Sequence, residues 1–197
     1  LHDRRVSLPH LATVHFLEAD EELIDPYYIG VRLGIERRCR AYDAEIAKVF
    51  HSQLTGEATL LQGMAGVIAI GKHRDHEIDF LAENSQCLVF ADHVPKDERF
   101  DCVYSDLALA TMTILDGLEA AGYSRIAFIG AQDRINSPGE LYGETRCRAF
   151  VDWQMARGSF DPEMIALNDD CNNGQNLRLE VGFEQARRLL SGSKRPD

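Results

Sequence analysis

The chain has 197 residues, enough for one domain or two small lobes. Its hydrophobic content of 45% and charged content of 27% fit a globular chain that can bury a core, and no apolar run reaches the ~18 residues of a membrane span. The net charge is -11, with 21 scattered basic residues against 32 acidic ones, which argues against a phosphate-gripping face on this stretch and is read as solubility.

The first element, "LATVHFL" (11–17), reads as a buried strand. "DPYYIGVRLGIERRCRAY" (25–42) reads as a helix, with Asp25 as N-cap and Pro26 at the first helical position. Its Tyr28, Val31, Gly34, Ile35 and Cys39 follow three-and-four spacing. "EIAKVF" (45–50) is strand-like, and "GEATLLQ" (56–62) suggests a short helix. "AGVIAIG" (65–71) is a strand closed by Gly71, "HEIDFLAEN" (76–84) a short helix, "CLVFAD" (87–92) a strand, and "DCVYSD" (101–106) a further strand.

The pattern then restarts. "LALATMTILDGLEAAG" (107–122) is a helix ending at Gly122, and "RIAFIG" (125–130) is a strand. "GETRCRAFVDWQMARG" (143–158) is a helix with Gly158 as its C-terminal stop. "EMIALN" (163–168) is a strand and "NLRLEVGFEQARRLLSG" (176–192) a helix. Strands alternating with helices imply βαβ units and mostly parallel sheets, whose doubly covered strands read as continuous apolar runs. The predicted class is therefore α/β, with two lobes: one over 8–104 and a thinner one over 105–197.

Five cysteines, Cys39, Cys87, Cys102, Cys147 and Cys171, make an odd set without CxxC, and several sit in apolar runs. They read as reduced small hydrophobes in a cytoplasmic chain. The N-terminal "LHDRRVSLPHL" has no apolar core of a secretory signal, although a matured chain would look the same.

In open parallel sheets, ligands bind beyond the carboxyl ends of strands. Asp92 ends an apolar run and could accept two hydrogen bonds from vicinal hydroxyls; it could equally cap a turn before Pro95. Asp106 precedes "LALATM" and reads as a helix N-cap rather than the second half of a carboxylate pair. His73 and His76 form HxxH without a second ligand pair, so a polar loop running into a helix is the plainer reading. "FIGAQDRINSPGE" (128–140) lacks GxGxxG and GK[ST], and no GxSxG elbow occurs. His15, at the end of the first strand, reads as a hydrogen-bonded core histidine rather than a base. Arg146 lies one turn into its helix, where it could fork onto a ligand or simply form a surface salt bridge, while Ala149 and Phe150 pack that helix down.

Taken in order, a strand, "DPYYIGVRLGIE", "AGVIAIG", "LVFAD", "VYSD", "LEAAGYSRIAFIG" and "RCRAF" resemble the effector-binding region of the LacI/GalR family of bacterial transcription repressors, from about residue 11 onward. The resemblance implies a periplasmic-binding-protein-like core of two lobes, a small sugar as effector bound between them, no cofactor, no catalysis, and a homodimer that acts on operator DNA. It places Asp92 on the aspartate that reads hydroxyls, Arg146 on the effector-contacting arginine, and Tyr27 and Tyr28 on an aromatic pair lining the site. His15 joins them as a ligand-binding candidate, and Asp106 becomes the start of the second lobe. The family's helix-turn-helix and the rest of its second lobe have no counterpart in these residues, so DNA binding would be carried by a further domain. Two rivals remain: a periplasmic sugar-binding protein of a transporter, and an α/β enzyme without a recognisable motif.

Overall fold

A computed structural model of the protein describes residues 9–54, 58–133, 139–168 and 179–197. The chain divides after Tyr104 into two compact units. The first contains β1 (His10–His15), α1 (Ala19–Leu23), α2 (Pro26–Ala41), β2 (Glu45–Val49), β3 (Gly66–Ile70), α3 (Asp75–Glu83), β4 (Leu88–Ala91) and β5 (Asp101–Val103). Its strands form one sheet in the order β2-β1-β3-β4-β5, and every pairing is parallel. The inner strands β3 and β4 are apolar throughout, as doubly covered parallel strands are, whereas the edge strands β2 and β5 carry Glu45, Lys48 and Asp101. Ala12, Val14, Val67, Ala69 and Phe90 are buried on β1, β3 and β4, and α3 adds Ile78 and Leu81.

The predicted N-cap of α2 forms: one Asp25 carboxylate oxygen accepts from the backbone N–H of Tyr27 at 2.9 Å and of Tyr28 at 3.1 Å. Between β2 and β3 the chain makes two 3-10 turns, His51–Leu54 and Ala58–Leu61, where a helix over 56–62 is predicted; residues 55–57 lie outside the described residues. Gly71 closes β3 with φ +81. A Cβ there would lie 2.0 Å from the Phe16 ring, so neither the backbone angle nor the space admits a side chain.

The second unit contains α4 (Leu107–Ala120), β6 (Phe128–Ala131), α5 (Thr145–Ala156), β7 (Ile165–Asn168) and α6 (Leu179–Ser191). Asp106 caps α4 by accepting from Leu109 N–H at 2.9 Å. β6 and β7 pair in parallel. Leu115, Ile126, Cys147, Phe150, Val151, Trp153 and Ile165 form the core. Both strands begin later than predicted. The backbone N–H groups of Ser124 and Arg125 are taken by the Asp197 carboxylate, so the β6 ladder starts only at Phe128, opposite Ile165. Asp161 accepts from Glu163 N–H at 3.0 Å and winds Pro162–Met164 into a 3-10 turn ahead of β7. The first residues predicted for α6, 176–178, lie outside the described residues, as does Cys171. The α/β class with parallel sheets flanked by helices is the architecture the chain forms.

Candidate functional site

The carboxyl edge of the first sheet is built one residue past each strand. Phe16 N–H donates to Ile70 O at 3.1 Å, Gly71 N–H to Ala91 O at 2.8 Å, and Asp92 N–H to Val103 O at 2.7 Å. Phe16, Gly71 and Asp92, which follow β1, β3 and β4, are thus tied to the ends of the neighbouring strands β3, β4 and β5. Asp92 has φ +62, the left-handed region that costs a non-glycine residue roughly 1–3 kcal/mol and that Asp tolerates better than most. Strain of this kind collects at functional sites because the surrounding structure holds it in place.

What holds Asp92 is a pair of tyrosines from the first turn of α2. Tyr27 Oη donates to Asp92 Oδ1 at 2.8 Å, and Tyr28 Oη donates to Oδ2 at 2.7 Å. The two rings meet edge to face with centroids 5.0 Å apart, and Tyr28 meets Phe16 edge-on at 4.8 Å. Burial, reinforced by the Asp92 carboxylate, pushes the Tyr28 phenol far above its ordinary range. It stays protonated and serves as a fixed donor. Three of the predicted candidates, Asp92, Tyr27 and Tyr28, therefore meet in one cluster of aromatic faces, hydroxyls and a carboxylate.

The structure places His15 elsewhere in the same unit, in the core. It is 2% exposed, and both ring nitrogens are engaged: Nδ1 lies 3.2 Å from Glu22 Oε1 and Nε2 lies 3.2 Å from Thr13 Oγ1. Burial holds its pKa below the ordinary value. His15 opens a chain of charges that sequence reading did not find. Glu22 on α1 accepts from Arg32 Nε on α2 through both oxygens, at 3.0 and 2.9 Å. Arg32 continues to Glu36 at 2.9 Å, and Glu36 to Lys48 on β2 at 2.6 Å. The chain links β1, α1, α2 and β2, and so fixes the helix that carries Tyr27 and Tyr28. The acidic run "ADEEL" was the available signal, but a five-residue helix has too few positions to show a period.

His73 lies in the loop that runs from β3 into α3, as the sequence suggests, but its side chain is buried there. It is 1% exposed, beside Phe90 and His93. Neither ring nitrogen has a partner at full hydrogen-bonding geometry among the described residues, and the Ile70 backbone offers only weak help. Burial takes its pKa down to about 4. His76 is exposed on α3. Among the described residues, no group of three or more His, Cys, Asp or Glu side chains could hold a metal ion. No helix among them is long and apolar enough to cross a membrane.

On the second unit, Arg146 stands in the first turn of α5. Its side chain is 56% exposed, and its Nε donates to Glu144 Oε1 at 2.8 Å. The other Glu144 oxygen caps the helix by accepting from the N–H groups of Arg146 and Cys147. Arg146 also lines an open depression of about 490 Å³ at the carboxyl ends of β6 and β7, with Gly130, Ala131, Asn168, Phe183 and Gln185. A guanidinium and an amide beside an aromatic ring are suited to polyhydroxylated ligands. Ala149 and Phe150 are buried, as the helix pattern predicted.

No family model matches the chain. Among curated proteins it is similar to the HTH-type transcriptional regulator GalR of Streptococcus thermophilus, 27% identical over 188 residues, covering 95% of this chain and 54% of that protein. It is also similar to the HTH-type transcriptional regulator GanR of Bacillus subtilis (strain 168), 27% identical over 189 residues, covering 96% of this chain and 54% of that protein. The chain thus spans about half the length of these relatives. Among solved structures, a LacI transcriptional regulator of Bacillus cereus subsp. cytotoxis superposes with a TM-score of 0.77 at 20% identity, covering 96% of this chain and 66% of that one. The transcriptional regulator CelR in complex with cellobiose gives 0.71 at 19% identity, covering 92% and 54%. A LacI family regulator of Lactobacillus casei with bound sucrose gives 0.69 at 17%, covering 93% and 65%. The chain has the fold of LacI/GalR-type transcriptional regulators and is homologous to them.

Proposed function

We propose that these residues are the effector-sensing part of a cytoplasmic, homodimeric bacterial repressor, and that the effector is a small sugar read by Asp92. The observation that carries this reading is the Asp92 carboxylate at the tip of β4, held by Tyr27 and Tyr28 in a left-handed conformation. Aromatic rings offer faces to the apolar C–H surface of a sugar, and a carboxylate accepts its hydroxyls. Tyr28 and Phe16 support the cluster from beneath, and His15 holds α1 and α2 through Glu22. Arg146 is proposed as an effector contact as well, because it lines the depression at the carboxyl ends of β6 and β7. Two regulators of the same fold hold disaccharides, cellobiose and sucrose, which supports the choice of ligand class. Residues 21–39 resemble the repressor of the evolved β-galactosidase operon of enteric bacteria, which makes β-galactosides the first sugars to try.

The mechanism is a population shift. A sugar that binds one conformation better than another moves the balance by its differential affinity, and the DNA-binding region of the whole protein reads the result at two operator half-sites. The test is a thermal-shift screen of the full-length regulator against galactosides, other sugars and nucleobases. A ligand at a hundred times its Kd adds about 2.7 kcal/mol to the native state. Stabilisation by one sugar class, lost in Asp92→Ala while operator binding survives, is the expected result. An Asp92→Ala regulator with full inducer sensitivity would refute the assignment.

A further inference from the structure

We propose that Tyr27 is a displaceable guard on Asp92: its hydroxyl holds Oδ1 until a sugar hydroxyl takes its place, so residue 27 sets the affinity of the site. This rests on the reading of Asp92 as the sugar-reading carboxylate. Both oxygens of Asp92 already accept a hydroxyl, from Tyr27 at 2.8 Å and from Tyr28 at 2.7 Å. Two hydroxyls, one on each oxygen, are what a vicinal diol would present. The protein therefore supplies an internal imitation of the ligand, and a sugar competes with it.

The two phenols are not equivalent. Tyr28 is partly buried and packed edge-on against Phe16, so losing Asp92 would leave its hydroxyl desolvated. Tyr27 is 48% exposed, and its hydroxyl can be rehydrated when it leaves. The exchange needs no movement of the helix, because Asp25 Oδ1 pins the backbone N–H of both residues. A side-chain rotation suffices, and exposed side chains rotate in picoseconds to nanoseconds. Tyr28 is accordingly the positioning residue that keeps Asp92 aimed, and Tyr27 is the competitor.

The proposal predicts opposite signs for two substitutions that differ by one hydroxyl each. Tyr27→Phe keeps the ring and removes the competitor, so sugar affinity rises about two- to tenfold, the worth of one net hydrogen bond. Tyr28→Phe removes the support and lowers affinity. The experiment is calorimetric titration of wild type, Tyr27→Phe, Tyr28→Phe and Asp92→Asn with methyl β-D-galactopyranoside, cellobiose and sucrose, with thermal melts to show that each variant is folded. Tighter binding by Tyr27→Phe alone supports the guard. Unchanged or weaker binding by Tyr27→Phe, with binding still lost in Asp92→Asn, overturns the guard and leaves the sugar reading standing. Sugar binding that survives intact in Asp92→Asn, or no binding of any of the three sugars by wild type or Tyr27→Phe, overturns both.

Discussion

Asp92 combines a local backbone cost with a hydrogen bond to each of its carboxylate oxygens. Its position at the end of an apolar run was legible in the sequence, because "LVFA" marks a strand and the charge marks its tip. Its conformation and its partners were not, since φ is a tertiary outcome and the tyrosines lie 65 and 64 positions away. That pairing gives a substitution with separable effects. Asparagine keeps the shape and tolerates the left-handed region at least as well, and its one oxygen can still accept from a tyrosine. Asp92→Asn is expected to hold the melting temperature within about 3 °C of wild type, while sugar affinity falls at least about tenfold. Circular-dichroism melts and titration calorimetry on the same samples check the two halves separately. A large loss of stability with affinity intact would show that the carboxylate serves the fold alone.

At the scale of elements, the strands and long helices follow directly from apolar runs, caps and glycines. The start of β6, the turn before β7 and the short helix α1 do not, because each is decided by a partner. Asp197 occupies the backbone ahead of β6, Asp161 winds the turn before β7, and Glu22 holds α1 in place through His15 and Arg32. Glu22 is buried, so removing its charge strands two cationic or donor partners at once. Glu22→Gln is expected to cost roughly 3 kcal/mol in urea unfolding, and an unchanged midpoint would mean that the network is idle. Gly71 tests the other side of the same edge. Gly71→Ala forces a methyl into the Phe16 ring at a left-handed position, which should cost roughly 3 kcal/mol and disturb Tyr28 through Phe16. The change in near-ultraviolet circular dichroism from these aromatics should accompany the loss of stability, and an undisturbed spectrum would separate Phe16 from the tyrosine pair.

For the molecule as a whole, the acidic balance argues against a phosphate-gripping face on these residues, and stability should depend on pH through the buried histidines. His73 is the stronger case. Burial is the main cause of its lowered pKa of about 4, with His93 and His51 pushing the same way and Glu77 opposing. Unfolded, it titrates near 6.5. Between these two values the unfolded chain binds the proton more readily than the native one, so stability falls as pH drops through this window. Above about 6.5 the contribution is complete; by about pH 4 it is lost, a difference of roughly 3 kcal/mol. His15, also held below its ordinary value by burial, adds a slope of the same sign. His73→Leu replaces the ring with an apolar side chain of similar size where the nitrogens lack good partners. Urea unfolding at pH 7.5, 6, 5 and 4 should show the wild type weakening steadily and the variant much less, with the variant at least as stable at pH 7.5. Equal slopes for the two proteins would mean that His73 binds its proton as readily in the native state as in the unfolded one, near pH 6.5, and that burial beside Phe90 does not lower its pKa.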